Sequence, residues 1–299
     1  MRKITSILLL LISFSALCQN NYADSVNIVI NDSIIYYKSK IKIEKNPHYA
    51  YFKLGQLYNF KATNQYYGQL GLSIDSLAIN YPWNYLDSAM FFLNKSINLN
   101  KKNAEAYYYR GITREYLEHK DKLIIKDYSK AIKLNAKPEY YFNRANYNSF
   151  SEPQKAINDY NKVIELLPND YRAYVGRATT TASRFYNPKE TDKQLVENDF
   201  EKALQLECDS ASVLLSRGIT RIYNIKDYPG AISDLTFVIM NYPNNLRAYY
   251  ERASAYYFNK ELEMSCNDFK TWKSKGGGGW VWYIKESCGI DYDTWMKKE

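Results

Sequence analysis

The pattern of large apolar, small and charged positions repeats along the chain with a period of about 34 residues. Each copy opens with a segment such as Tyr107–Gly111, in which large residues precede an arginine and then a glycine or alanine. A period of this size is typical of a helix-turn-helix repeat that shares its core with its neighbours. The arginines lie at intervals of 34, 33, 40 and 35 residues: Arg110, Arg144, Arg177, Arg217 and Arg252.

A second helical pattern follows each of these segments. An aspartate precedes an aromatic or aliphatic residue, and further apolar residues follow after two more positions. Prolines such as Pro138, Pro168 and Pro243 end several units, because proline cannot continue a helix. The pattern therefore predicts a series of helix pairs. Its copies are 127–132, 159–164 and 199–204, with weaker ones at 234–239 and 268–272.

These segments resemble the tetratricopeptide repeat (TPR) family over roughly residues 47–273. The resemblance implies an all-α fold, a right-handed superhelical α-solenoid of about six helix-turn-helix units with a C-terminal capping helix. It also implies close helix packing at the small residues of the first helices, which are Gly111, Ala145, Ala178, Gly218 and Ala253. It says little about function, since TPR arrays carry many unrelated roles.

The domain boundaries follow from this register. Residues 20–46 mix helical and alternating spacing, which fits a capping helix or an extended leader; we expect a leader and then a capping helix from about Asn31. Insertions at 61–83 and 183–191 carry glycine, proline or asparagine, and we expect much of the first to be loop. The TPR array covers 47–274, with repeats near 47–100, 103–137, 138–168, 169–207, 209–243 and 244–274. A Gly-rich turn, a capping helix at 280–288 and a short tail fill 275–299.

The N-terminal residues predict the cellular location of the protein. Arg2 and Lys3 precede a short apolar run that ends before Cys18, which is typical of a cleaved signal peptide over residues 1–18. We therefore expect an exported protein of bacterial type, periplasmic or secreted, with no transmembrane segment in the mature chain. The alternative is a lipoprotein anchored at Cys18, although Leu17 departs from the small residue that such signals carry before the cysteine.

The net charge and the histidine and cysteine content limit the classes of ligand and cofactor that we expect. The formal net charge of +8 could suit nucleic acid, but export and the dispersed lysines exclude that class. The chain has only two histidines, His48 and His119, and no CxxC spacing, so we expect no metal and no cofactor. Export permits disulfides, and Cys266 and Cys288 would meet if the segments that carry them pack antiparallel; Cys208 is then unpaired.

The arginines and aspartates of the two patterns occur together. Repeat 1 has Leu54 and Phe92 in the two places, so both charges are missing there. This co-occurrence predicts a structural ion pair between the two helices of each unit. The predicted pairs are Arg110 with Asp127, Arg144 with Asp159, Arg177 with Asp199, Arg217 with Asp234, and Arg252 with Asp268.

The family's ligands usually lie against the first helices, which line a concave face. The resemblance places these residues there: Tyr49, Phe52, Gln56, Glu105, Tyr108, Ile112, Glu115, Phe142, Asn146, Arg172, Val175, Thr179, Leu215, Ile219, Arg247, Tyr250 and Ser254. We therefore expect a non-catalytic cell-envelope scaffold or adaptor that binds a peptide or protein partner. The alternative is a glycan-binding module, to which Tyr66, Tyr67 and Trp83 could contribute. The sequence has no nucleophile motif and no phosphate-binding loop, so we expect that the protein is not an enzyme.

Overall fold

The computed structural model describes residues 19–69, 83–183, 190–207, 210–278, 282–291 and 295. Every regular element in these ranges is a helix, and the predicted all-α repeat fold is confirmed. The described residues form two compact units, and the boundary between them falls after Ile124, inside one helix. Residues 1–18, on which the predicted signal peptide lies, are outside the described residues.

Within its described residues, unit 1 contains four helices and the start of a fifth. They are α1 (Gln19–Ile43), α2 (His48–Gln69), α3 (Trp83–Leu99), α4 (Ala104–Tyr116) and the first turn of α5 (Asp121–Leu134). The first helix begins at Gln19, earlier than the start near Asn31 that we expected. The β-branched residues that suggested an extended leader are helical because Ile30 and Ile34 are buried against Leu54 and Leu57 of α2.

The first insertion also differs from the expectation. Helix α2 continues to Gln69, so the beginning of the insertion extends the helix instead of forming a loop. Residues 70–82 and the side chains of Tyr66, Tyr67 and Trp83 lie outside what the structure describes. In the second insertion the flanking helices end at Ser183 and begin at Glu190, and the residues between them are likewise not described.

In the part of unit 2 that the structure describes, the rest of α5 is followed by nine further helices. They are α6 (Pro138–Asn148), α7 (Pro153–Leu166), α8 (Tyr171–Ser183), α9 (Glu190–Leu206), α10 (Ala211–Thr220), α11 (Tyr228–Asn241), α12 (Leu246–Phe258), α13 (Leu262–Ser274) and α14 (Trp282–Cys288). A π-helical turn, Arg221–Ile225, extends α10. Proline opens α6 and α7, and the Asn245 side chain caps α12 by accepting from the backbone of Ala248.

Consecutive helices pair through small residues on the first helix and large residues on the second. Gly218 of α10 shows why the small residue is needed: a Cβ there would lie 2.9 Å from Cγ of Leu235 on α11, closer than carbon atoms approach. Leu235 is fully buried at this contact, in one cluster with Ala231 and Val238. The close approach packs the two helices of this repeat against each other.

An arginine on the first helix binds an aspartate on the second in four repeats of unit 2. In each pair Nε and Nη2 donate to the two carboxylate oxygens at 2.6 to 2.8 Å, and both side chains are largely buried. The structure thus brings together four of the five expected pairs: Arg144–Asp159, Arg177–Asp199, Arg217–Asp234 and Arg252–Asp268. Arg110 and Asp127 lie in different compact units, and their pairing stays a prediction.

The same arginines also reach the preceding repeat. Through Nη1, Arg144 donates to Ser129 at 2.8 Å, Arg177 to Asn161 at 2.6 Å and Arg252 to Thr236 at 3.0 Å. In unit 1, Arg110 donates to Asn94 at 2.8 Å in the same way. Each acceptor is two residues after the aspartate position of its own repeat. Arg144, Arg177 and Arg252 therefore link one repeat to the next as well as the two helices within a repeat.

The C-terminal end of unit 2 is closed by α14 and Trp295. A disulfide joins Cys266 of α13 to Cys288 of α14, with the two Cα atoms 5.0 Å apart. Trp295 lies in the segment that we expected to be a tail, but it is buried with Ile284 against Phe269. The segment around Trp295 is too short for its apolar residues to establish a helical period, so the sequence did not predict this contact. Cys208 is outside the described residues.

Candidate functional site

The predicted groove residues fall into three classes of exposure. Two of them, Phe52 and Ser254, are buried, and their assignment to a binding surface was wrong. The exposed ones are Tyr49, Asn146, Arg172 and Arg247. The half-buried ones are Gln56, Glu105, Tyr108, Ile112, Glu115, Phe142, Val175, Thr179, Leu215, Ile219 and Tyr250.

Phe52 and Ser254 are covered by the neighbouring helices. Phe52 is 1% exposed and packs in the core of unit 1 with Leu93 and Ala106. Ser254 is fully buried, and its hydroxyl donates to the carbonyl of Tyr250 at 3.1 Å. Both residues pack within their own unit, so neither can contact a partner.

Unit 2 carries a pocket of about 270 Å³ between the first helices of three successive repeats, α6, α8 and α10. Four of its residues were predicted: Phe142, Asn146, Arg172 and Val175. The sequence reasoning missed the others, Tyr171, Gly176, Ser212, Val213 and Ser216. The missed residues are mostly small, and their role is to leave space, which a pattern of large residues cannot show. We call this cavity the α6–α8–α10 pocket.

One wall of the pocket is fixed from behind by Tyr160 of α7. Its hydroxyl donates to Oδ1 of Asn146 at 2.6 Å, and its ring meets Phe142 edge-on at 6.0 Å. Gly176 makes room for this ring, since a Cβ there would lie 2.5 Å from it. Burial raises the pKa of Tyr160 to about 12, so the phenol remains a donor at neutral pH. With its oxygen engaged, Asn146 can offer its amide nitrogen to a ligand.

The opposite wall carries the one guanidinium of the pocket. Arg172 lies 5.1 Å from the centre of the Phe142 ring, a cation–π distance. Asp170 accepts from Nε and Nη2 of this arginine at 2.8 and 2.7 Å, and Asp170 itself is buried. The ion pair holds the guanidinium over the ring. The pocket therefore combines an apolar floor with amide, hydroxyl and guanidinium groups at its rim.

In unit 1, the corresponding row of residues on the first helices α2 and α4 is more polar than the pocket. Lys53 donates to Gln56 at 2.9 Å, and Gln56 donates in turn to the hydroxyl of Tyr109 at 2.6 Å. The Lys53 ammonium lies 5.6 Å from the Tyr49 ring and 5.3 Å from that of Phe52. Burial lowers the pKa of Lys53. These contacts occupy the polar groups of the row with one another, which leaves Tyr49 as its exposed aromatic residue.

The described part of the chain offers neither a metal site nor a membrane-spanning helix. Among these residues no group of histidine, cysteine, aspartate or glutamate is arranged to hold a metal ion. No helix in the described ranges has the length and apolar character needed to span a membrane.

Comparison with known proteins shows the fold. No protein-family profile and no curated protein sequence matches the chain. Among solved structures, a tetratricopeptide repeat protein from Parabacteroides merdae is similar at 17% identity and a TM-score of 0.58, over 78% of this chain and 84% of that one. PilF of Pseudomonas aeruginosa is similar at 14% identity and a TM-score of 0.54, over 78% and 96%.

A third similar structure is YrrB, described as a TPR protein with an unusual peptide-binding site. It shares 18% identity and a TM-score of 0.50, over 71% of this chain and 95% of its own. At these identities the likeness establishes the TPR fold and no more.

Proposed function

We propose that this chain is a non-catalytic interaction module that binds an extended peptide segment of a protein partner. The α6–α8–α10 pocket carries the proposal, because it is open, has an apolar floor and lies between the first helices of three repeats. TPR folds commonly serve as protein-interaction scaffolds, and the similarity to a structure described by its peptide-binding site supports the same use here.

The lining indicates what the peptide presents. Phe142, Val175 and Val213 form an apolar floor for one large aliphatic or aromatic side chain. Ser212, Ser216 and the amide nitrogen of Asn146 can bond to the peptide backbone on either side of that side chain. The guanidinium of Arg172 is already paired with Asp170, so the pocket carries no uncompensated charge, and we expect an uncharged anchor residue.

Selection from a library of random twelve-residue peptides tests the proposal. We expect the purified protein to select peptides that share one large apolar residue, and Val175→Glu to weaken their binding at least tenfold. Leu166→Glu is the matched control, since it places the same charge at an exposed site outside the pocket. Selection of no peptide, or equal binding by the Val175→Glu protein, would contradict the proposal. If only glycans bind, the glycan-binding alternative replaces it.

We also propose that the protein is exported and acts in the cell envelope or outside the cell. The Cys266–Cys288 disulfide supports this location, since such bonds persist in oxidising compartments. Mass spectrometry of the protein from its native cells tests it. A mature chain that begins at Gln19 would support soluble export, a lipid on Cys18 would support the anchored form, and an intact Met1 would contradict both.

A further inference from the structure

Glu251 lies on α12, and its carboxylate side chain is fully buried, with 0% exposed. It occupies the position directly before the repeat arginine, where the other repeats have Tyr109, Asn143, Gly176 and Ser216. Two of those residues, Gly176 and Ser216, line the α6–α8–α10 pocket. Glu251 thus places an acid in the register of the pocket, on the first helix of the next repeat.

Three tyrosines interact with this carboxylate, one of them through a hydrogen bond. The hydroxyl of Tyr223, on the π-helical turn, donates to Oε2 of Glu251 at 2.9 Å. Burial, and after it the negative charge of Glu251, raises the pKa of Tyr223, Tyr250 and Tyr283, so all three phenols lie within its field. They come from three different elements, α10 with its extension, α12 and α14. We call Glu251 and these tyrosines the Glu251 site.

Arg247 is the cation that pairs with Glu251, but its position on the helix is unfavourable for this pair. Its Nε lies 2.5 Å from Oε1 of Glu251, yet no donor in the described part of the chain gives Oε1 a well-aligned hydrogen bond. The Arg247 side chain is 62% exposed. It lies in the first turn of α12, where the helix dipole disfavours a cation, and arginine before glutamate is the weaker order for a pair four residues apart.

The charge of Glu251 is accordingly undercompensated. Burial raises the pKa of Glu251 although Arg247 and Tyr223 both act to lower it. A buried carboxylate that lacks full compensation gains from a better-placed cation. Tyrosine rings add cation–π attraction, which favours the flat guanidinium group.

We propose that the Glu251 site recognises an arginine side chain of the bound partner, which displaces Arg247 and pairs with Glu251 beside the hydroxyl of Tyr223. Arg247 is the resident stand-in for that side chain, and its own guanidinium shows that the site admits one. The proposal rests on the proposed function only for the carrier of the arginine, a peptide that also fills the α6–α8–α10 pocket. The site itself can be tested without any peptide.

The test uses N-acetyl-argininamide as the probe and its neutral analogue N-acetyl-citrullinamide as the control. Binding is followed by chemical-shift changes in NMR spectra of the full chain. We expect Arg247→Gln to bind the arginine probe at least tenfold more tightly than the parent protein. We expect the double variant Arg247→Gln, Glu251→Gln to lose that binding, and citrullinamide to bind none of them. Equal binding by the parent and Arg247→Gln, or binding retained in the double variant, would overturn the proposal.

A second variant covers the case in which Arg247→Gln does not fold. Arg247→Lys keeps a cation but is a weaker competitor for a planar site. It is expected to bind the arginine probe at least threefold more tightly than the parent, and an unchanged affinity would overturn the proposal.

Val175→Glu separates this inference from the proposed function. The variant should bind argininamide as the parent does while it loses the selected peptides. If no peptide is selected but argininamide still binds, and this binding depends on Glu251, only the proposed peptide function is refuted. Peptides that bind without any preference for arginine refute only the role of the Glu251 site.

Discussion

Arg177 donates through Nη1 to the side-chain oxygen of Asn161, 2.6 Å away on the second helix of the preceding repeat. Its Nε and Nη2 bind Asp199 on the second helix of its own repeat at 2.8 and 2.6 Å. One guanidinium therefore links three helices, its own and the two that it contacts. The same three-way contact recurs at Arg144 and Arg252, which makes it a property of the repeat and not of one site.

The pair of Arg144 and Asp159 should behave as one unit in mutagenesis. Their side chains are 21% and 8% exposed, so loss of one partner leaves the other charged and mostly buried. We expect Arg144→Ala or Asp159→Ala alone to lower the free energy of unfolding by about 3 kcal/mol. The double variant should lose clearly less than the sum of the two, as measured by urea unfolding. Strict additivity would mean that the two side chains do not interact.

The contact between repeats can be tested at Asn161. Asn161→Ala removes the acceptor of Arg177 but leaves the pair with Asp199 intact. Because Asn161 is exposed, we expect a loss of about 0.5–1 kcal/mol in the free energy of unfolding. Asn158→Ala is the control, since Asn158 is exposed on the same helix and accepts only within it, from Gln154. An Asn161 effect no larger than that of Asn158 would show that the contact adds no stability.

Removal of the disulfide should weaken the C-terminal end of unit 2. Cys266→Ser with Cys288→Ser opens a loop of sequence separation 22, and we expect the loss to be about 3 kcal/mol. Thermal unfolding with and without reductant measures it. Reductant should lower the Tm of the parent to that of the double variant and leave the variant unchanged. A parent Tm that does not respond to reductant would indicate that the bond does not form.

Stability should depend on pH through Glu251. Burial raises its folded-state pKa above the ordinary value of 4.5, so just above pH 4.5 the folded protein binds more protons than the unfolded chain. Stability therefore falls as the pH rises from 4.5 to the folded pKa. The unfolding free energy of the parent, relative to Glu251→Gln, should decrease between pH 4 and 7. A difference that stays constant or grows over this range would contradict the assignment.

The pocket depends on Tyr160 although this residue lies behind its wall. Tyr160→Phe removes the hydroxyl that fixes Asn146, and we expect peptide affinity to fall about threefold to tenfold, with a loss of about 1 kcal/mol in stability. Tyr174→Phe is the matched control, because its hydroxyl bonds to the carbonyl of Pro168 away from the lining residues. If both variants bind peptide equally well, Tyr160 does not position Asn146 for binding.

The repeat pattern predicted the helices and the arginine–aspartate register because both depend on spacing alone. The small residue at Gly218 and the aspartate at Asp234 recur at fixed intervals, and the packing of a helix pair follows from them. The cross-repeat acceptors could have been found in the same way, since Ser129, Asn161 and Thr236 share one register position.

Other features had no periodic signal. The pocket depends on which large residues are missing, as at Gly176, and on a ring from the second helix, Tyr160, that no first-helix pattern includes. Phe52 fitted the family's groove position but is buried, because burial depends on the neighbouring helices and not on register. The burial of Trp295 and of Ile30 in α1 depends on tertiary contacts, which only the folded chain reveals.

The closed end of unit 2 has a consequence for self-assembly. Helical repeats stack because each leaves an apolar edge on which the next can pack. At this end Ile284 and Trp295 cover Phe269, and the bond between Cys266 and Cys288 ties the cover to α13. A second copy could not stack there without first displacing α14, which the covalent bond opposes. Growth into end-to-end filaments is therefore blocked at this edge for as long as the cysteines stay oxidised.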